Sequence, residues 1–236
     1  MPTRNDRLTE NDDKRRATMR TDYDHSEAWY EARRGSITAS RVSDVLTKAR
    51  GGKGLSVAAT SYLYELIGEH LCGVDSPPPA WAMKWGIEHE PFARMEYEDA
   101  TGTRVIESKE IYPDTEGVIH HESESWIAAT PDGFIDNEGL LEIKCPATAK
   151  EFARFLESRT IPKEHFAQMQ HQMFVTGAKF CDYAVYHPRA PKPLRLVVQR
   201  VEADYEEQVE TVLAFRDEMV KRTLAIIENA NERQLT

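Results

Sequence analysis

Ala129-Thr130-Pro131-Asp132-Gly133 leads into the acidic turn Asp136-Asn137-Glu138-Gly139, and the chain returns as Leu141-Glu142-Ile143-Lys144-Cys145. The turn residues tolerate tight backbone reversal, so the flanks pair as a hairpin. On the returning strand Glu142 and Lys144 are two apart and share one face, while Leu141, Ile143 and Cys145 project from the other. With the register centred on the turn, Asp132 lies opposite or diagonal to Glu142 and Lys144, at roughly 5 to 8 Å. Two carboxylates that close can share a divalent metal, and a lysine beside them can orient or deprotonate a water. That is the minimal apparatus of metal-assisted phosphodiester hydrolysis. Taken alone, the hairpin fits a charged surface strand at least as well.

Composition narrows the setting. A chain of 236 residues is long enough to bury a substantial core as one large domain or two small ones. Hydrophobic content of 40% and charged content of 30% describe a soluble globular protein, and no apolar run reaches membrane-span length. Residues 1–21 are almost wholly polar, carry no signal-peptide pattern and predict a disordered tail before a single domain over 22–232. Cys72, Cys145 and Cys181 are widely spaced with no CxxC pair, which predicts a reducing, cytoplasmic setting without structural zinc or disulfides. The net charge of −10 argues against nonspecific coating of nucleic acid, so a protein acting on DNA must gather its basic side chains on one surface.

The pattern along the chain predicts helices from Ser26, over 38–48, over 57–72 and through the aromatic stretch of Trp81, Trp85 and Phe92. Residues 49–54 form a flexible basic loop holding Arg50. Strands are expected at 104–112, 117–121, 125–135 and 140–145, followed by helices at 147–158 and 163–176 with Gly177 as a C-cap. Strands at 181–187 and 194–202 and a long helix over 203–232 complete an α/β domain, a mixed central sheet flanked by helices.

Three features break their local patterns. Gln170 interrupts the apolar stripe of Phe166, Met169, Met173 and Phe174, so it is either a core amide bonded to backbone or a residue that orients groups at a reaction centre. Pro91 suits the first position of a helix, which makes Glu90 either its cap or a third metal carboxylate. Arg33-Arg34-Gly35-Ser36-Ile37-Thr38-Ala39-Ser40 offers a tight turn at Gly35, hydroxyls and guanidinium groups. It reads as an ordinary helix cap or as a phosphate pocket.

Pro131-Asp132 followed by Glu142-Ile143-Lys144 resembles the signature of the PD-(D/E)XK nuclease superfamily, with its restriction-endonuclease-like core. Added in order are Ala28-Trp29, Arg33, Gly35, Ile37-Thr38-Ala39-Ser40, Trp85-Gly86, Glu90, Ala93-Arg94, Cys145-Pro146 and Gln168-Met169-Gln170. Together these motifs, over about residues 26–202, resemble phage lambda exonuclease and its relatives, the alkaline exonucleases of phage recombination systems. The resemblance implies Asp132, Glu142 and the Ile143 carbonyl as magnesium ligands, with Glu90 helping to hold a second ion. It also implies Lys144 as the residue that activates water, supported by Gln170. Arg33 and Ser40 are implied at the 5′-phosphate, Arg50 at the DNA groove and Met83 as an apolar wedge between terminal base pairs.

The implied reaction is Mg²⁺-dependent 5′→3′ hydrolysis of one strand of linear duplex DNA from its 5′-phosphorylated end. It releases 5′-mononucleotides and leaves a 3′ overhang for strand annealing. Oxygen-only ligands favour Mg²⁺ or Mn²⁺ over zinc. By resemblance the protein also forms a homotrimeric ring around the duplex, works with a single-strand annealing protein, and is phage or prophage encoded in a bacterial host. Two other readings keep part of the pattern: an endonuclease of restriction or repair type, and a noncatalytic DNA-end-binding recombination module.

Overall fold

The computed structural model describes residues 26–73 and 81–234, with side chains through 230; the tail expected over 1–21 lies outside the described residues. Helix α1 (Glu27–Arg33) is capped by Ser26, whose hydroxyl accepts from Trp29 N–H. After the turn at Gly35 the chain forms β1 (Ile37–Thr38), a 3-10 turn (Ala39–Arg41) and the short helix α2 (Val42–Leu46). The helix expected over 38–48 therefore starts later. Two residues before it are claimed by parallel pairing of β1 with β4 (Glu124–Ala129), Ile37 beside Ile127 and Thr38 beside Ala128. Helix α3 (Val57–Cys72) spans the expected range.

Helix α4 (Trp81–Thr101) departs from expectation, because Pro91 lies inside it rather than at its start. An internal proline removes the hydrogen bond to the carbonyl four residues back, here Ile87. Buried Ala93 and Tyr97, packed with Val105, Ile135, Leu141 and Tyr186, hold the helix through that defect. Glu90 is accordingly a mid-helix residue and not a cap.

The strand expected at 104–112 is only β2 (Val105–Ile106). Glu107 and Glu110 then form a capping box that starts the one-turn helix α5 (Ser108–Ile111). Strand β3 (Ile119–His121) pairs antiparallel with β4. The strand expected over 125–135 is split by Thr130-Pro131-Asp132 into β4 and β5 (Gly133–Ile135), which belong to different sheets. Proline lacks the N–H that would continue a ladder, so the split falls where the chemistry requires it. The single central sheet of the sequence reading is thus a three-stranded sheet, β1-β4-β3, beside a five-stranded one.

The larger sheet runs β2-β5-β6-β7-β8, where β6 is Gly139–Lys144, β7 is Phe180–Tyr186 and β8 is Leu196–Glu202. Parallel β6 and β7 are joined through helices α6 (Ala149–Ser158) and α7 (Lys163–Thr176). Gly177, at φ 72°, closes α7 as expected. Leu140 and the odd-numbered residues of β7 pack with Phe152, Phe155, Met169 and Met173 on one face. Leu141 and Ile143 pack on the other, against α4. Helix α8 (Glu206–Gln234) closes the core around α2, α3 and the small sheet.

Candidate active site

The β5–β6 hairpin places Gly133 beside Leu141 and Ile135 beside Gly139, so the register extrapolates to Asp132 opposite Glu142. The Asp132 carboxylate accepts from the Ile143 N–H at 2.6 Å. An extended residue turns its N–H and C=O to the same edge, so the Ile143 carbonyl also faces the Asp132 side, beyond the end of β5. Glu142 and Lys144 share a face, and the ammonium lies 2.5 Å from the carboxylate.

Glu142 is 1% exposed in the centre of the sheet, where an ionised carboxylate needs partners. It has three. Gln168 donates to Oε1 at 2.8 Å, Gln172 donates to Oε2 at 2.7 Å, and Lys144 completes the set. Gln168 also accepts from Lys144 Nζ at 3.1 Å, so one amide fixes the acid and the lysine together. Gln170 does not enter this network. Its amide donates to the Glu202 carbonyl at 2.9 Å and accepts from Asp204 N–H at 2.7 Å, tying α7 to the β8–α8 junction. Gln170 is the backbone-bonded core amide of the two alternatives above. The glutamines at the cluster are Gln168 and Gln172, four residues apart on one helix face.

Glu90 comes from α4 on the opposite side. It accepts from Arg94 at 2.8 Å, and Arg94 also bonds Glu107 at 2.7 Å. Burial raises the pKa of Asp132 well above the usual carboxylate range, and the charges of Glu142 and Glu90 push it further. Glu90 is raised by burial too, with Arg94 opposing and Glu142 and Glu107 adding. Burial would lower the Lys144 pKa, but Glu142, Asp132 and Glu90 outweigh it and hold the ammonium form. Three carboxylates that destabilise one another's charge, offset directly by Lys144 and Arg94, form an environment that favours additional positive charge. Its donors are all oxygens, the chemistry of a hard divalent cation. Among the described residues, no group of three His, Cys, Asp or Glu side chains forms a ready-made metal cage.

Arg33, the last residue of α1, reaches the segment that bears Asp132 through Thr130. Its guanidinium donates to Ser40 Oγ at 3.2 Å and to Thr130 Oγ1 at 3.4 Å, and stacks 4.0 Å over the Trp29 ring. Among the described residues it has no salt bridge, whereas Arg34 pairs with Glu31 and Arg41 with Asp44 and Glu65. Burial lowers its pKa to about 10, with Tyr62 and Glu69 opposing, so it stays charged at neutral pH. The turn behind it depends on Gly35, at φ 64°, whose N–H donates to Glu69 at 2.8 Å. A Cβ there would lie 2.2 Å from the His70 ring.

The structure thus gathers Asp132, Glu142, Ile143, Lys144 and Glu90, and links Arg33 and Ser40 to the segment before Asp132 through Thr130. Arg50 is exposed in a loop closed by the Lys48–Leu55 bridge, and Met83 is exposed in the first turn of α4. Neither contacts the cluster. Sequence reasoning missed Thr130, Gln168 and Gln172, although Thr130 adjoins the Pro-Asp pair and the two glutamines carry a one-turn spacing.

A family model of the YqaJ-like viral recombinase domain matches residues 28–179, which include every residue of the cluster. The chain is 33% identical to an alkaline exonuclease, LHK-Exo, from Laribacter hongkongensis. The match covers 88% of this chain and 99% of that one, with a TM-score of 0.76. A structure of LHK-Exo in complex with dAMP matches with the same values. A phage-related exonuclease from Haemophilus somnus 129PT shares the fold at 13% identity, over 83% of this chain and 96% of that one, with a TM-score of 0.63. No curated protein matches the chain. The described helices include none long and apolar enough to cross a membrane. With the family model covering well over half of its length, the chain belongs to the YqaJ-like viral recombinase family.

Proposed function

We propose that this protein is a divalent-metal-dependent exonuclease that degrades one strand of linear duplex DNA in the 5′→3′ direction from a 5′-phosphorylated end. The observation that carries the reading is the contact of Arg33 with Ser40 and with Thr130, two residues before Asp132. A cationic receptor bonded to neutral hydroxyls is matched to a terminal phosphate, and through Thr130 it would bring the first linkage of a strand toward the segment that bears Asp132. An endonuclease has no use for such a receptor. The likeness to an alkaline exonuclease at 33% identity supports the same class of chemistry.

Asp132, Glu142 and the Ile143 carbonyl would hold Mg²⁺ or Mn²⁺, with Glu90 contributing to a second ion. Bound there, such cations supply the charge that acidifies a water and offsets the charge growing on the phosphate. Gln168 and Gln172 keep both Glu142 oxygens in place. Lys144, 2.5 Å from the Glu142 carboxylate, would orient and activate the attacking water. Arg33 and Ser40 hold the 5′-phosphate. Exposed Tyr64, Leu71, Leu224, Ile226 and Ile227 supply apolar surface for the homotrimeric ring in this reading. A single-strand annealing protein would take the 3′ overhang.

Incubation with Mg²⁺ and linear duplex bearing 5′-phosphate or 5′-hydroxyl ends tests the proposal. Faster release of 5′-mononucleotides from phosphorylated ends is expected, with loss on chelation and recovery with Mn²⁺. Degradation of covalently closed duplex would refute it. Lys144→Ala is expected to abolish cleavage while leaving end binding largely intact, and Arg33→Ala to remove the preference for phosphate. A preference unchanged in Arg33→Ala would overturn the receptor assignment.

A further inference from the structure

His165, Gln168 and Gln172 follow one another on α7 at spacings of three and four, and so share the face that meets β6 and β7. Both glutamines reach Glu142. His165 reaches Tyr183, whose Cα is the register partner of Glu142 on the neighbouring strand. The Tyr183 hydroxyl lies 2.7 Å from His165 Nδ1.

The direction of that hydrogen bond follows from burial. Tyr183 is 2% exposed, and His165 Nδ1 is the partner of its hydroxyl among the described residues. A buried O–H left without an acceptor is costly, so the phenol donates and Nδ1 accepts. The imidazole proton then resides on Nε2. That nitrogen has no described protein partner and is not among the enclosed polar atoms. Phe155 meets the Tyr183 ring edge-on at 5.8 Å and steadies it. The ring stays neutral, since burial and the Lys144 charge push its pKa down to about 4 against Glu142 and Glu164.

Gln168 and Gln172 each direct an amide N–H at Glu142, and Lys144 is held between Glu142 and Gln168. Beside them on this face of α7, His165 offers an Nε2–H with no described protein partner. A backbone phosphate presents the matching chemistry, acceptor oxygens that take a hydrogen bond from a neutral donor. We propose that His165 Nε2–H donates to a non-bridging oxygen of the DNA phosphate at the reaction centre, with Tyr183 as the residue that positions the ring. This rests on the nuclease reading above.

The test is steady-state cleavage of 5′-phosphorylated linear duplex with Mg²⁺ by His165→Leu, His165→Gln and Tyr183→Phe, beside the unaltered protein and Lys144→Ala. Loss of a donor that strengthens in the transition state lowers kcat more than it raises KM. His165→Leu should lose roughly 100- to 1,000-fold in kcat with little change in KM for DNA ends. His165→Gln, which keeps an N–H near Nε2, should recover most of it, and Tyr183→Phe should fall between. Equal impairment of the Leu and Gln variants would assign His165 to packing and overturn the inference. So would a kcat for His165→Leu within about twofold of the parent. If His165→Leu fails to fold, judged by thermal unfolding and end binding, the nearly isosteric Tyr183→Phe decides, and an unchanged kcat there overturns it. An inactive parent protein would instead sink the nuclease reading, which separates the two failures.

Discussion

Gln170→Leu and Gln168→Leu should separate a structural glutamine from one that serves the reaction. The Gln170 amide makes two neutral hydrogen bonds, to the Glu202 carbonyl and the Asp204 N–H. Each is worth about 1 kcal/mol, and an unmet buried partner adds about 1–3 kcal/mol. Residues 202–204 are exposed, so water can recover part of that second cost. The lower end of the range applies, a loss of about 2 kcal/mol, or about 4–8 °C in Tm for a domain of this size. Gln168→Leu removes contacts to two charged groups, the Glu142 carboxylate and the Lys144 ammonium, leaving Glu142 to Gln172 and Lys144 and removing the amide that ties acid and lysine together. Its stability cost is of similar order, but its kcat should fall about 100-fold, as expected when a group that orders a reaction centre is lost. Thermal melts give Tm, and cleavage rates per folded molecule, measured well below both midpoints, give the second quantity. The Gln170 variant should match the parent in rate. A more than tenfold loss of kcat in Gln170→Leu, with Tm unmoved, would refute the geometry and restore Gln170 to the site.

Gly35→Ala should destabilise the protein and loosen its preference for 5′-phosphate, because the turn carries Arg33. The left-handed backbone alone costs about 1–2 kcal/mol for a residue with Cβ, and His70, packed 4.0 Å from the Trp126 ring, blocks the added methyl. Adding His70→Ala should relieve the clash but not the backbone cost; full recovery of Tm in the double variant would show that φ at 35 is not constrained. Acid sensitivity has an identifiable source in His171, which is 0% exposed, with Nε2 lying 3.2 Å from the Ala128 carbonyl. Burial pushes its pKa down to about 4, below the unfolded value near 6.5, so the fold holds the neutral ring. Its contribution is complete above the unfolded pKa and is lost as pH falls toward the folded one, about 2 kcal/mol by pH 5. Urea midpoints of the parent should fall over that window more steeply than those of His171→Gln, and equal slopes would remove His171 as the cause.

The hairpin was legible because its determinants are local. Turn residues at 136–139 and a two-residue spacing are enough to set the register that brings Asp132 to Glu142. Helices α3 and α7 were legible for the same reason, the first from its Ser56 cap and the second from its Gly177 stop. The misreadings occur where partners distant in sequence decide. Thr38 looks like the start of a helix until Ala128 on β4, ninety residues later, pairs with it. Pro91 looks like a helix start because local rules favour that position, and only the packing of Ala93 and Tyr97 against the sheet holds a helix through it.

Choosing among the glutamines required the same distant information. Helix α7 is buried on both sides, against β3 and β4 through His171 and Phe174 and against β6 and β7 through Met169 and Met173. Every residue from 169 to 173 is buried, so the apolar period cannot say which polar side chain faces which sheet. A lone glutamine in an apolar stripe signals only that a partner exists. The spacing of polar residues carries the missing direction: His165, Gln168 and Gln172 lie one turn apart, the glutamines meeting Glu142 and the histidine its neighbour Tyr183, whereas Gln170 is turned away from them and meets backbone. In a helix packed between two sheets, it is the periodicity of the polar residues that locates the face turned toward Glu142.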